Sequence, residues 1–324
     1  LSMANIELLA EITASGMYIF DYFTKEFFGC SPVACSNSTA PFLVCKRIGS
    51  RYIHNDNPEK VLSTKDWRVP MIVKRCEKRG SPGKSFLIDP MLADKEAYPG
   101  FDGTVNSHLR IPLIGLPVDL KTITDVDAII ATHLHPDHWD IAATERLPKE
   151  KSVYVQDAQD AHYLTENGFS DVRIMEEENQ ADGAVWNKTA CQHGSNDIIA
   201  DSVMGPIVGN ASGLFFHSEG EKSVYFVGDT IWTQEVENNL KTLQPDVVVV
   251  NAGYAQVIGF GSIIFGKEDV LRVHRTVPHA QIVAIHMEAV NHCILSRKEL
   301  QEYAESHLFS SSLHIPSDGE VICF

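Results

Sequence analysis

The segment from Ala131 to Asp140 constrains this chain more than any other, because it places ligand-type side chains behind a predicted strand. Within six residues it carries His133, His135, Asp137 and His138, directly after the apolar run 126–131. Residues i and i+2 at a strand end point the same way. Imidazole together with carboxylate suits zinc and its first-row neighbours, and an open mixed set is typical of catalytic sites. We interpret the segment as a metal site rather than a polar loop of solvated histidines.

The length of 324 residues allows one large α/β domain or two smaller ones. We predict an N-terminal extension over residues 1–62 and a main domain over residues 63–324. A helical pattern between Ile6 and Phe28 gives the extension an apolar face, which must be buried. Whether this face packs on the main domain or on a second copy in a homo-oligomer stays open.

The net charge of −16 argues against nucleic acid as a partner, since the averaged field repels phosphate backbones. The one basic run, Lys74 to Arg79, contains no aromatic residue and is more typical of a solvated turn. Seven scattered cysteines indicate reduced thiols, and we find neither a signal peptide nor a membrane span. We therefore expect a cytoplasmic protein without a membrane partner.

Apolar runs, turn signals and helix caps predict alternating strands and helices, so helices should cover at least part of the sheet. Ser296 and Glu299 form the pattern of a capping box. Residues 91–120 form a long loop region that could wall a pocket. The predicted strands are 69–76, 85–88, 126–131, 152–155, 213–216, 224–227, 247–250 and 281–285, and the predicted helices are 157–166, 233–243, 267–277 and 297–308.

Four later polar residues each follow the end of an apolar or small-residue run: His193, Asp229, Asn251 and His286. Strand ends on one edge of a sheet converge in space, which is where α/β proteins place their sites. We therefore expect these distant residues to meet the 133–138 cluster.

These motifs together resemble the metallo-β-lactamase fold superfamily. The stretch from His133 to His138 is similar to its HxHxDH signature, and His193, Asp229 within Gly-Asp-Thr, and His286 follow in the family's order. The resemblance covers about residues 65–324 and implies an α/β fold, a four-layer αββα sandwich. Within the superfamily the chain looks closest to the branch that resembles L-ascorbate-6-phosphate lactonase.

The resemblance also implies a dinuclear site. One metal ion would be held by His133, His135 and His193, the other by Asp137, His138 and His286, with Asp229 bridging them. Two divalent ions are expected, with Zn²⁺ first and Mn²⁺ or Fe²⁺ as alternatives. Asp137 and Asp229 are the candidate catalytic residues. Asp89 is expected to accept a hydrogen bond from a ligand imidazole, with a simple turn role as its alternative.

The function implied by the resemblance is metal-dependent hydrolysis of a small ester, lactone or phosphodiester by a bridging hydroxide. The alternatives are a nuclease or phosphodiesterase acting on nucleic acid and a non-catalytic metal-binding scaffold. Tyr254, Asn291 and His292 follow ligand-bearing strands closely enough to be candidate substrate residues. For Cys191 and Cys293, near the ligands in sequence, we expect a role as small apolar filler.

Overall fold

The structure, a computed structural model, describes residues 84–181, 184–218 and 221–324, and the backbone of residues 71–74. The predicted extension over residues 1–62, its boundary and most of the basic run lie outside these residues.

A five-stranded sheet forms the first half of the fold. Its order is β1-β2-β3-β4-β5, with β1 antiparallel to β2 and the other neighbours parallel. Strands β2 and β3 are buried at every position, as expected for parallel strands covered on both faces. The strands are β1 (Met71–Lys74), β2 (Ser85–Ile88), β3 (Ala128–Ile130), β4 (Ser152–Val155) and β5 (Asp171–Ile174).

A seven-stranded sheet of order β14-β13-β10-β9-β8-β7-β6 forms the second half. Strands β6 to β9 pair antiparallel, whereas β9, β10, β13 and β14 are parallel. The strands are β6 (Glu178–Ala181), β7 (Ala184–Ala190), β8 (Ser212–His217), β9 (Val224–Phe226), β10 (Val247–Asn251), β13 (Gln281–Ile285) and β14 (Leu313–His314). A separate small hairpin pairs β11 (Gln256–Val257) with β12 (Gly261–Ser262).

Helices pack against both sheets, except for two short helices after β7 that pack against the 256–262 hairpin. The described helices are α1 (Leu120–Thr124), α2 (Ile141–Arg146), α3 (Ala158–Glu166), α4 (Asn196–Ala200), α5 (Met204–Val208), α6 (Gln234–Leu243), α7 (Lys267–Thr276) and α8 (Arg297–Ser306). Ala143 and Leu164 join the core of the first sheet, while Leu240, Val270 and Leu300 join that of the second. These layers confirm the predicted αββα class.

The two sheets meet around Trp186, whose side chain is fully buried. Its ring centroid lies 5.3 Å from that of Phe86, 4.9 Å from that of Tyr154 and 5.9 Å from that of Phe216. Phe86 and Tyr154 belong to the first sheet and Phe216 to the second. This aromatic cluster therefore joins the sheets beneath the edge at which the ligand-type residues emerge.

Most predicted elements are confirmed within two residues at each end, including the capping box of Ser296 and Glu299 at the start of α8. The sequence patterns did not predict β5, β6, the greater part of β7, the 256–262 hairpin or β14, nor the short helices α1, α2, α4 and α5. Each of these helices has only five or six residues, which is too short for a clear apolar period.

Candidate metal centre

The ligand-type residues lie at one edge of both sheets because the strands before them run in the same direction. Asp89 follows β2 and the 133–138 loop follows β3 in the first sheet. Asp229 follows β9 and His286 follows β13 in the second. Strand β7 is also parallel to β9, since both are antiparallel to β8, so His193 emerges at this edge as well.

The loop between β3 and α2 is fixed by a turn and by a helix cap. The amides of His138 and Trp139 both donate to the carbonyl of His135, at 2.8 and 2.7 Å. The buried Asp140 carboxylate caps α2 by accepting from the amide of Ala143, and it also accepts from the amides of Leu92 and Ala93. Asp140 therefore ties the histidine loop to the segment after β2. This role was not predicted from the sequence, because α2 is too short to give a clear helical pattern.

One group of nitrogen atoms is formed by His133, His135 and His193, which together could hold a metal ion. One ring nitrogen from each residue lies within 4.8 Å of the others. His133 Nε2 is 3.1 Å from His135 Nδ1. His133 and His193 are buried, whereas His135 is partly exposed.

A second group that could hold a metal ion consists of the buried residues Asp137, His138 and His286. His286 Nε2 lies 3.1 Å from His138 Nε2 and 3.5 Å from an Asp137 carboxylate oxygen. His286 has a φ of 58°, in the left-handed region, so the backbone turns sharply at this residue directly after β13.

The carboxylate of Asp229 lies between the two groups. Its Oδ2 is 3.1 Å from His138 Nε2, 3.6 Å from His193 Nε2 and 4.0 Å from His286 Nε2. Its Oδ1 accepts a hydrogen bond from the side-chain amide of Asn251, the last residue of β10. Asn251 therefore orients the residue that contacts both groups.

The outward-facing ring nitrogens determine which atoms point inward. His135 Nε2 lies 2.9 Å from the carbonyl oxygen of Ile207, and His193 Nδ1 lies 3.0 Å from that of Ile263. A carbonyl oxygen only accepts, so each of these nitrogens must carry the proton. The inward nitrogens of neutral His135 and His193 are consequently lone pairs.

Asp89 has the same effect on His138. It accepts from the Thr132 amide at 2.7 Å, from the Thr132 hydroxyl at 2.6 Å and from His138 Nδ1 at 2.9 Å. Because the Thr132 hydroxyl donates to Asp89, it can accept from His133 Nδ1, which lies 3.1 Å away. Asp89 also has a φ of 50°, so the turn role and the contact with a ligand-type imidazole are combined in one residue.

The electrostatics of the cluster favour positive charge at its centre. Burial lowers the pKa of His133 and brings that of His135 to about 4, so both rings are neutral at pH 7. Burial opposes the charged form of His138 as well, but Asp229 and Asp89 raise its pKa to about 10. Although burial alone would raise the pKa of Asp229, the neighbouring His138 and His286 hold it well below its usual range. Neutral His133 and His135 beside the ionised Asp229 fit a divalent cation, whose charge would take the place of the proton that His138 holds.

The three candidate substrate residues lie near the cluster in different environments. Asn291 accepts from the amide of Phe101 and donates to Thr104 Oγ1 and to the carbonyl of Val105, so its side chain anchors the loop before β3. Tyr254 is 39% exposed. His292 is buried, and its ring packs edge-on against that of Phe101 with the ring centroids 4.9 Å apart. Its Nδ1 has no hydrogen-bond partner among the described residues. Part of the predicted 91–120 wall therefore contacts His292.

Comparison with known proteins agrees with this arrangement. Residues 85–287 match the family model of the beta-lactamase superfamily domain. The UPF0173 protein YddR of Bacillus subtilis (strain 168) is 41% identical over 242 residues, which cover 74% of this chain and 93% of that protein. The chain belongs to the UPF0173 family of metal-dependent hydrolases.

Two solved structures of similar proteins extend this assignment. An isothiocyanate hydrolase from Delia radicum gut bacteria is 46% identical, with a TM-score of 0.73, and covers 74% of this chain and 93% of its own. A possible metal-dependent hydrolase from Veillonella parvula DSM 2008 is 40% identical, with a TM-score of 0.74, and covers 78% of this chain and 96% of its own. This UPF0173 chain is thus an enzyme, a metal-dependent hydrolase, rather than a scaffold.

None of the helices in the described part of the chain is long and apolar enough to cross a bilayer.

Proposed function

We propose that this UPF0173 protein is a dinuclear hydrolase acting on a small, electrophilic molecule. One ion would be held by His133, His135 and His193, and the other by Asp137, His138 and His286. Asp229 would bind both ions. The observation that carries this proposal is that one nitrogen of each ring points into the cluster. The opposite nitrogens face Thr132, Ile207, Asp89 and Ile263. Zn²⁺ is the first ion to test, followed by Mn²⁺ and Fe²⁺.

Bound divalent ions would supply a deprotonated water at neutral pH and polarise the substrate. The chain's own residues then determine orientation. Burial alone would raise the pKa of Asp137, but the neighbouring His286 and His138 hold it low, so the buried carboxylate is an ionised acceptor at neutral pH. It can accept a proton or orient the attacking water. Asp229 would offset the repulsion between two cations.

The substrate class we propose is an organic isothiocyanate, R–N=C=S. This rests on the 46% identity to the isothiocyanate hydrolase over 93% of that chain. Addition of one water to the central carbon gives the thiocarbamic acid R–NH–C(=O)–SH. Breaking its C–N bond, with transfer of the S–H proton to nitrogen, releases the amine R–NH₂ and carbonyl sulfide.

His292 is the residue we propose to hydrogen-bond a heteroatom of the substrate. Burial lowers its pKa to about 4, so the ring is neutral at pH 7 and has one N–H donor and one acceptor. Phe101 holds the ring edge-on, and Asn291 anchors the loop that carries Phe101. In this proposal Asn291 contributes to substrate binding by positioning that loop, while the exposed Tyr254 lies at the rim.

The test is a substrate comparison with metal-loaded protein. Purified protein is given an aryl isothiocyanate, an aliphatic lactone, p-nitrophenyl acetate and bis-p-nitrophenyl phosphate, each with and without a chelator. We expect chelator-sensitive release of amine from the isothiocyanate at a kcat/KM well above those for the other three. Faster lactone turnover would replace the isothiocyanate class by the lactone class, in line with the lactonase-like sequence motifs.

The nuclease alternative is tested in the same series. The net charge of −16 disfavours it, and we expect neither DNA nor RNA to be cut by the metal-loaded protein. Degradation of either would contradict the small-molecule proposal.

A further inference from the structure

The outward nitrogen of His286 faces a sulfur atom, unlike those of the other four imidazoles. Cys293 Sγ lies 3.4 Å from His286 Nδ1. The other four outward nitrogens face oxygen atoms of Thr132, Ile207, Asp89 and Ile263. A thiol sulfur is a weaker hydrogen-bond acceptor than any of these oxygens. His286 is thus the ring in the cluster whose tautomer is held least strongly.

The thiol is held in place by the segment that follows β10. A Cβ atom added at Gly253 would lie 2.0 Å from the carbonyl oxygen of His286 and 2.5 Å from Cys293 Sγ. Ala255 forms a bridge with Cys293, and the amide of Leu295 donates to the carbonyl of Gly253 at 3.0 Å. The absence of a side chain at Gly253 therefore lets this backbone press Cys293 against the His286 ring.

Both possible directions of the contact have consequences for the inward nitrogen. If Nδ1–H donates to the sulfur, Nε2 is a lone pair facing Asp137 and His138. If the S–H donates to Nδ1, Nε2 carries the proton and cannot bind a cation. Nε2 lies 3.5 Å from the Asp137 carboxylate. Only the first arrangement leaves His286 able to act as a ligand.

We propose that Cys293 is a positioning residue that orients His286 and stabilises its Nδ1–H tautomer by accepting that proton in a hydrogen bond. The inference rests on the proposed role of His286 as a ligand. It replaces the expected filler role of Cys293 and implies that the ion at Asp137, His138 and His286 is the more weakly held of the two. Partners of ligand imidazoles typically change metal affinity by about 10–100-fold.

The test measures metal affinity rather than turnover alone. Metal-free wild type, Cys293→Ala and Cys293→Ser are titrated with Zn²⁺ against a competing chelator. Cys293→Ala should weaken the second equivalent of zinc by about tenfold and leave the first unchanged. Cys293→Ser keeps an acceptor and should restore most of the affinity.

Cys191→Ala is the matched control, since Cys191 is also a thiol close to the cluster but donates to the carbonyl of Val227 rather than facing an imidazole. Its second equivalent should bind as in wild type. Histidine ring NMR of the zinc-loaded proteins gives a second readout. Relative to wild type, the Nδ1–H signal of His286 should be shifted in Cys293→Ala, whereas Cys293→Ser should retain it. Urea unfolding of the metal-free variants separates a loss of packing from a loss of positioning.

Unchanged binding of the second zinc equivalent by a folded Cys293→Ala protein would overturn this inference and leave the proposed function intact. Failure of the wild type to bind a second equivalent would instead overturn the dinuclear proposal.

Discussion

The chemistry of single residues in this protein depends on which nitrogen of each histidine faces inward. Carbonyl oxygens of Ile207 and Ile263 fix two of these rings, because they accept hydrogen bonds and cannot donate them. Asp89 fixes a third ring, that of His138. The ligand-type side chains are thereby oriented by residues that need not touch the substrate, and the backbone supplies much of this orientation.

Asp137→Asn tests the role proposed for this carboxylate. The change keeps the shape of the side chain but removes the ionised acceptor, so kcat should fall by about 10²-fold or more. Thermal unfolding should change little. The exposed Asp125, at the end of α1, provides the control Asp125→Asn, which should keep wild-type kcat. A variant at Asp137 with normal kcat would exclude Asp137 from the reaction.

His292 gives a prediction about stability and pH. Burial brings its pKa to about 4, below the value of about 6.5 in an unfolded chain. Between these values the unfolded chain binds the proton and the folded protein does not, so folding stability falls as the pH falls. From about pH 7.5 to about pH 5 this loss amounts to about 2 kcal/mol.

Urea unfolding of metal-free wild type and His292→Asn at both pH values checks this prediction. The variant lacks the titrating ring and should lose less stability on acidification, whatever its stability at neutral pH. Equal losses in the two proteins would show that His292 does not titrate with a depressed pKa.

At the scale of elements, the site depends on how the segment after β10 meets the turn after β13. Gly253→Ala would place a methyl group 2.0 Å from the carbonyl oxygen of His286. Because this oxygen belongs to the backbone, relief requires a backbone shift, and we expect a loss of about 1–3 kcal/mol in unfolding free energy with weaker metal binding.

The control for this substitution is Gly115→Ala, because nothing lies within 4 Å of a Cβ at Gly115. It should leave both stability and metal affinity near the wild-type values. If Gly253→Ala also leaves both unchanged in urea unfolding and zinc titration, the close approach of this segment to His286 is not present in solution.

The two sheets are joined by the aromatic cluster around Trp186, which is fully buried. Trp186→Ala should lower the free energy of unfolding by about 3–5 kcal/mol, because it removes a large ring from a packed interior. Ile258→Ala, at a residue that is 65% exposed, should cost far less. Chemical unfolding measures both variants. A small cost at Trp186 would mean that the inter-sheet core repacks around the missing ring.

The sequence predicted the elements whose signals are local. Apolar runs such as 224–227 and 281–285 identified the strands, and the polar residues that follow them identified Asp229 and His286. Strand β6 reads Glu-Asn-Gln-Ala and has no apolar alternation, so its place in the sheet comes from pairing with β7. The role of Asn291 was not predictable for a similar reason, since it bonds to Phe101, 190 residues away in the chain.

At the scale of the whole molecule, the order of strands brings together residues from position 89 to position 293. The parallel strands of both sheets end at one edge, so no single segment holds the whole cluster. The polar residues that follow the predicted strands indicated this convergence, and the resemblance to a known fold implied the same arrangement. They did not predict the Cys293 contact, because it requires Gly253 and His286 to approach each other in three dimensions.

The central claim is that the cluster holds two metal ions in a hydrolase of small electrophiles. The most direct measurement is the metal content per chain by inductively coupled plasma mass spectrometry, on wild type and Asp229→Asn purified in parallel. The account predicts two transition-metal ions per wild-type chain and fewer than two in the variant, with loss of hydrolysis. A folded wild-type protein that binds no transition metal, even after incubation with zinc, manganese or ferrous ion, would contradict it.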